Sequence, residues 1–176
     1  MCMTGSTASA LVCRTTNYRA SCKMSDTITL KSAHNRAVYE WWRSSHDGGA
    51  LPRNAVLSTL GKYLASCVVL AVKRDPDDFH YRFAGTRIDE FTHQSLTGLS
   101  MSAIDAQKPP SAIWSACCTV RDERRLVSGM VPYVGPRKDF VHMEDIILPF
   151  SNDGKQVTAL VASVDYFRSD DDSHRI

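Results

Sequence analysis

Apolar positions change their spacing several times along this chain, and each change marks an element. Residues 62–73 are apolar almost throughout, as in a strand covered on both faces. Phe79, Tyr81 and Phe83 then alternate with His80, Arg82 and Ala84, the period of a half-buried strand. Between them Asp75, Pro76, Asp77 and Asp78 spell a turn, because proline presets its φ and aspartate bonds back to nearby backbone. The two strands are therefore expected as a hairpin. Upstream, residues 31–46 read as a helix, with Ala37, Val38, Trp41 and Trp42 on one stripe and Gly48-Gly49 ending it. Residues 51–61 read as a linker with one helical turn.

The middle of the chain reads as short helices over 87–94 and 101–106, then a longer one opened by Pro109-Pro110. Ile113, Trp114, Cys117 and Val120 form its apolar stripe. Three strands follow, over 126–134, 140–150 and 156–167, broken by Gly135-Pro136 and by Asn152-Asp153-Gly154. Two strands, a helical excursion and a three-strand meander predict an α+β fold: a five-stranded antiparallel sheet with helices gathered on one face. Residues 67–72 and 157–164 are apolar at nearly every position, which demands cover on both sides of the sheet. The excursion helices supply one layer, so the tryptophan helix or a partner subunit must supply the other. The expected division is a disordered tail or upstream extension at 1–25, with Met24 a candidate start, then a helix and linker at 26–61. The main domain spans 62–168 and an acidic tail 169–176.

Trp41-Trp42, the run Phe79-His80-Tyr81-Arg82-Phe83-Ala84-Gly85-Thr86, and Glu144-Asp145-Ile146-Ile147-Leu148-Pro149-Phe150-Ser151 follow one another in a telling order. An aspartate-proline turn precedes the second motif. In that order the chain resembles a family of short bacterial stand-alone PAS-like proteins, over residues 32–167. Where such families carry a glycine in the first pocket helix, this chain has His93. The resemblance implies a PAS-like sheet with an N-terminal tryptophan-bearing helix. It also implies a sensory role, in which a strand running into a short helix walls off a small-molecule pocket.

Composition narrows the chemistry. A formal net charge of +2 and no basic run argue against nucleic acid. No segment has the length of a membrane span, and Ala10-Leu11-Val12-Cys13 lacks the basic opening of a secretion signal, so a cytoplasmic protein with reduced thiols is expected. His142-x-Glu144 lacks the downstream Pro-Cys-x-x-Cys of zinc deaminases, and no G-x-S-x-G, Walker or G-x-G-x-x-G motif occurs. The flavin-cysteine motif of light-sensing PAS domains is also missing, with Gly98-Leu99-Ser100-Met101 in its place. Neither an enzyme nor a haem, flavin or metal cofactor is expected. The expected pocket wall is Phe91, Leu96, Ile104, Ile113, Trp114, Cys117, Val131 and Tyr133, with Arg82 and His93 as the polar groups that orient a ligand. Val38, Trp41 and Trp42 are the expected homodimer interface, the signal leaving through dimer or partner contacts. The competing expectation is a ligand-free interaction scaffold with a filled core.

Overall fold

The expected strands form one antiparallel sheet. They are β2 (Cys67–Arg74), β3 (Asp77–Ala84), β4 (Val127–Pro132), β5 (Phe140–Phe150) and β6 (Ala159–Arg168). A short β1 (Tyr18–Ala20) extends it, giving the order β1-β4-β5-β6-β2-β3. The computed structural model describes residues 18–20, 28–48, 51–53, 56–133, 135 and 137–169. The assignment of 1–25 to a tail is thus corrected for Tyr18–Ala20, which pairs with Gly129, Ser128 and Val127 of β4. The rest of that tail within 1–17 and 21–25, and the acidic tail from 170, lie outside the described residues.

The meander β4-β5-β6 returns beside β2, with Val69 opposite Val161 and Leu70 opposite Leu160. This pairing places the apolar runs of β2 and β6 at the centre of the sheet, where both faces are covered. Helix α1 (Ala33–Ser44) supplies one layer. Its Val38, Tyr39 and Trp42 pack with Ile146, Leu148, Phe150 and Val161. On the other face lie α2 (Thr86–Thr92), a short 3-10 turn Met101–Ala103, and α3 (Ala112–Glu123). There Ile88, Leu96, Met101, Cys117 and Val120 pack on Val68, Leu70, Phe79, Ile147 and Ala162. Of the two covers the sequence allowed for the second face, the chain uses its own tryptophan helix.

Two boundaries differ from the periodicity. The apolar run at 62–66 belongs to a 3-10 stretch (Leu57–Ser66), kinked where Gly61 takes φ 54° and ψ −125°, and the strand starts only at Cys67. Pro109 and Pro110 precede α3 instead of opening it. Ser111 is the N-cap, its hydroxyl accepting from the Trp114 N–H at 3.2 Å. At Gly85, between β3 and α2, any Cβ would run into the backbone carbonyls of Leu64 and Ala65. The Gly85 N–H donates to the Cys67 carbonyl at 2.9 Å, so only a residue without a side chain lets the chain enter α2 here.

The outer edge of β3 is also closed. The Tyr81 N–H and carbonyl bond to the Leu99 carbonyl and Gly98 N–H, at 2.9 and 2.8 Å. The Ala84 N–H donates to the Thr97 hydroxyl, and the Phe79 N–H to the Asp78 carboxylate.

Candidate functional site

On the excursion face the sheet alternates, so that the inward residues are Val127, Gly129 and Val131 on β4 and Met143, Asp145 and Ile147 on β5. Those on β6 are Leu160, Ala162, Val164 and Tyr166. The expected wall residues divide into two groups over this floor. Leu96, Ile104, Ile113, Trp114 and Cys117 join Phe79, Tyr81 and Met101 in one apolar cluster, with Trp114 edge-on to Phe79 at 5.3 Å. The Tyr81 hydroxyl donates to Gln107 Oε1 at 2.6 Å. Val131 is half-buried on β4, opposite Met143.

Phe91 and Tyr133 belong to a second group with Phe140 and Tyr166, two aromatics that the sequence reading left as plain strand residues. Phe91 stacks on Tyr166, with ring centroids 3.6 Å apart and planes 10° from parallel. Phe140 and Tyr133 meet Phe91 edge-on at 4.8 and 5.7 Å, and the Tyr133 hydroxyl donates to the Phe91 carbonyl at 3.3 Å. Guanidinium groups sit against these rings: Arg137 is 5.3 Å from both Phe91 and Phe140, and Arg87 is 5.8 Å from Phe91 and Tyr166. Helix α2 is thereby latched to the far end of the sheet by its one buried aromatic.

The two expected polar groups do not face this interior. Arg82 is exposed, because the alternation that buries Phe79 and Tyr81 turns Arg82 to solvent. His93 is also exposed. It ends α2 in the left-handed conformation (φ 55°, ψ 25°), the backbone state that glycine adopts most readily. What the sequence reading missed is Asp145, only 3% exposed and inward-facing. It lies opposite Gly129 on one side and Val164 on the other.

Both buried thiols are held protonated. Burial pushes Cys67 up to about 11. Burial, and after it the nearby Cys118 and Asp145, raise Cys117 further. Alkylation with iodoacetamide at neutral pH, followed by peptide mapping, should therefore leave Cys67 and Cys117 unmodified in the native protein and label both after denaturation. Rapid native labelling of Cys117 would contradict its place in the core.

Through the strand from Asp145, its neighbour Glu144 points to the opposite layer and seats α1. Its carboxylate accepts from the Lys31 N–H at 2.6 Å, the Ser32 N–H at 3.1 Å and Asn35 Nδ2 at 3.1 Å. Asn35 also donates to the Glu144 carbonyl, and its Oδ1 accepts from the Ser163 hydroxyl at 2.8 Å. Ser32, the N-cap, donates to Asp165 Oδ2 at 2.8 Å. A negative group at a helix N-terminus complements its unpaired N–H groups and its dipole.

The expected interface residues have partners inside the chain. Val38 is fully buried, and Trp42 donates its indole N–H to the Pro149 carbonyl at 3.0 Å. Trp41 is half-buried against Phe150, 5.5 Å between centroids, with its N–H on the Thr59 hydroxyl. The tryptophan stripe is thus committed to the subunit's own sheet, leaving only part of Trp41 open to a second copy.

Among the described residues no three His, Cys, Asp or Glu side chains converge as a metal site, and no helix is long and apolar enough to cross a membrane. No curated protein and no solved structure matches the chain. A family model described as PAS domain matches residues 30–163.

Proposed function

The chain belongs to the PAS domain family, and from that premise we propose that it is a sensory module whose interior, between sheet and excursion helices, binds a small organic molecule. The signal leaves through α1. The single observation that carries this reading is the adjacency of Asp145 and Glu144. One buried carboxylate faces the excursion helices, and the next residue along β5 holds the N-terminus of the opposite layer. A ligand that repositions the β5 backbone at this point changes the seat of α1 with no intermediate element. Only a difference in its affinity for the two seats can drive the change.

Apolar walls with a few polar groups suit an organic ligand held without haem, flavin or metal. The module has no catalytic part in this reading. It works in the cytoplasm, through a protein partner or through a dimer that uses the outer surface of α1, including the open edge of Trp41. The competing reading, a scaffold with a filled core, draws on the Phe91 ring, which already occupies the slot against Tyr166.

Native mass spectrometry of the purified chain, before and after denaturation, distinguishes the two. The sensor releases a small molecule, and stripping it changes amide exchange in residues 31–38. A single unliganded mass, with no added compound altering that exchange, supports the scaffold.

A further inference from the structure

We infer that His34 is a proton-operated joint at the start of α1: a proton taken up there loosens the first turns of the helix from the sheet, with no small molecule required. The ring sits where four elements meet. It belongs to the first turn of α1 and stands edge-on to Tyr63 of the 3-10 stretch, with 5.0 Å between centroids. Pairing of β2 with β6 starts at Cys67 opposite Ser163, so Asp165 lies past the end of β2. Arg87 of α2 reaches that aspartate at 3.6 Å, and α2 packs on the 3-10 stretch. The joint therefore touches both helical layers.

A cation is poorly accommodated at this place. His34 Nε2 is buried and has no hydrogen-bond partner. The neutral ring can keep its proton on Nδ1 and leave Nε2 an acceptor, whereas the imidazolium must place an unmet N–H there. The N-terminus of a helix also disfavours positive charge. Three charged groups act on the ring: Lys62 from the 3-10 stretch, Arg87 from α2 and Asp165 from β6. Asp165, the anion of the three, already accepts from the Ser32 hydroxyl at 2.8 Å and the Tyr166 N–H at 3.1 Å besides its pair with Arg87. Glu144, the anion that β5 supplies to this helix start, is engaged by the Lys31 and Ser32 N–H groups and by Asn35. Lys31 and Arg36 add two cations on the chain flanking the ring.

Burial above all holds the ring below the usual 6.5; Asp165 pulls it up, and Arg87 and Lys62 push it down again. Well above 6.5 the ring is neutral whether α1 is seated or released, and the seat carries no penalty. As the pH falls through 6.5 the released ring takes its proton first, so the seated helix loses stability until the seated ring is protonated too.

The test uses the full-length chain. Hydrogen exchange, corrected for the intrinsic pH dependence of amide chemistry, should show residues 34–38 opening at least about threefold more at about pH 5.5 than at about pH 7.5, while β2 and β6 stay protected. His34→Gln, which takes up no proton, should bring that ratio to about one with every other histidine still in place. Proton NMR titration of the His34 ring should give a midpoint below 6.5. A midpoint at or above 6.5, no difference between the two pH values, or a difference that survives in His34→Gln overturns the joint. Should His34→Gln fail to fold, as circular dichroism would show, the ring titration and the wild-type exchange decide. None of these outcomes depends on a co-purified molecule, so the small-molecule reading stands or falls separately.

Discussion

Replacing Trp42 with alanine should cost the fold about 3–5 kcal/mol, the range for removing a large buried aromatic. The indole is 5% exposed, lies among the residues that join α1 to the sheet, and stacks with Tyr39 at 6.1 Å. Its loss removes apolar burial and also leaves the Pro149 carbonyl without its 3.0 Å donor. Trp42→Phe should fall between, since it keeps the packing of one ring and loses the pyrrole part together with its hydrogen bond. Urea denaturation followed by far-UV circular dichroism gives both values. A cost under about 1 kcal/mol for the alanine variant, set against that same range, would mean that α1 does not rest on the sheet. If instead stability held while a dimer dissociated, the tryptophans would be interface residues after all.

Glu144→Ala should be the second large loss, on the order of 2–4 kcal/mol. That figure reflects two buried donors, the Ser32 N–H and the Asn35 amide, each losing an acceptor at roughly 1–3 kcal/mol before relaxation and water entry. The damage should be local as well as global. Hydrogen exchange ought to rise first in residues 31–38, while β2 and β6 keep their protection until global unfolding. Glu144→Gln, which retains one acceptor oxygen, should recover part of the loss. A Glu144→Ala protein with wild-type stability and unchanged α1 exchange would remove the physical link between the two layers on which the sensing mechanism depends.

Much of the sheet could be read directly because its signals were local. Phe79, Tyr81 and Phe83 alternate, and Asn152-Asp153-Gly154 breaks β5 from β6. The Asp153 carboxylate accepts from the Gln156 and Lys155 N–H groups and from Ser151, which hold its pKa down at about 2. The cover of both faces also followed from continuous apolar runs. The polar part of the site did not follow. In β5 the residues from Ile146 to Phe150 are buried on either face, so their hydrophobicity carries no parity, and nothing in the letters says that Asp145 faces in. Arg82 and His93 drew attention as charged or ligating residues near aromatics, yet strand alternation and the helix end direct both to water. Tyr18–Ala20 escaped because three residues cannot display a period. The apolar stretch before Cys67 read as strand because a 3-10 turn and a strand of that length share the same composition.

The occupied outer edge of β3 limits how this domain can associate. An open strand edge is a template on which a second chain can continue the ladder, by augmentation, swapping or aggregation. At one border Tyr18–Ala20 pairs with β4 and becomes the edge strand itself. The other is occupied by the 97–99 turn and the Asp78 carboxylate along β3. Few backbone groups of β3 are left to recruit a foreign strand, so strand addition on that border is suppressed in the folded state. On that side of the domain a partner has to engage side chains on the helical layers or the loops, where a contact can be made and released without opening the sheet.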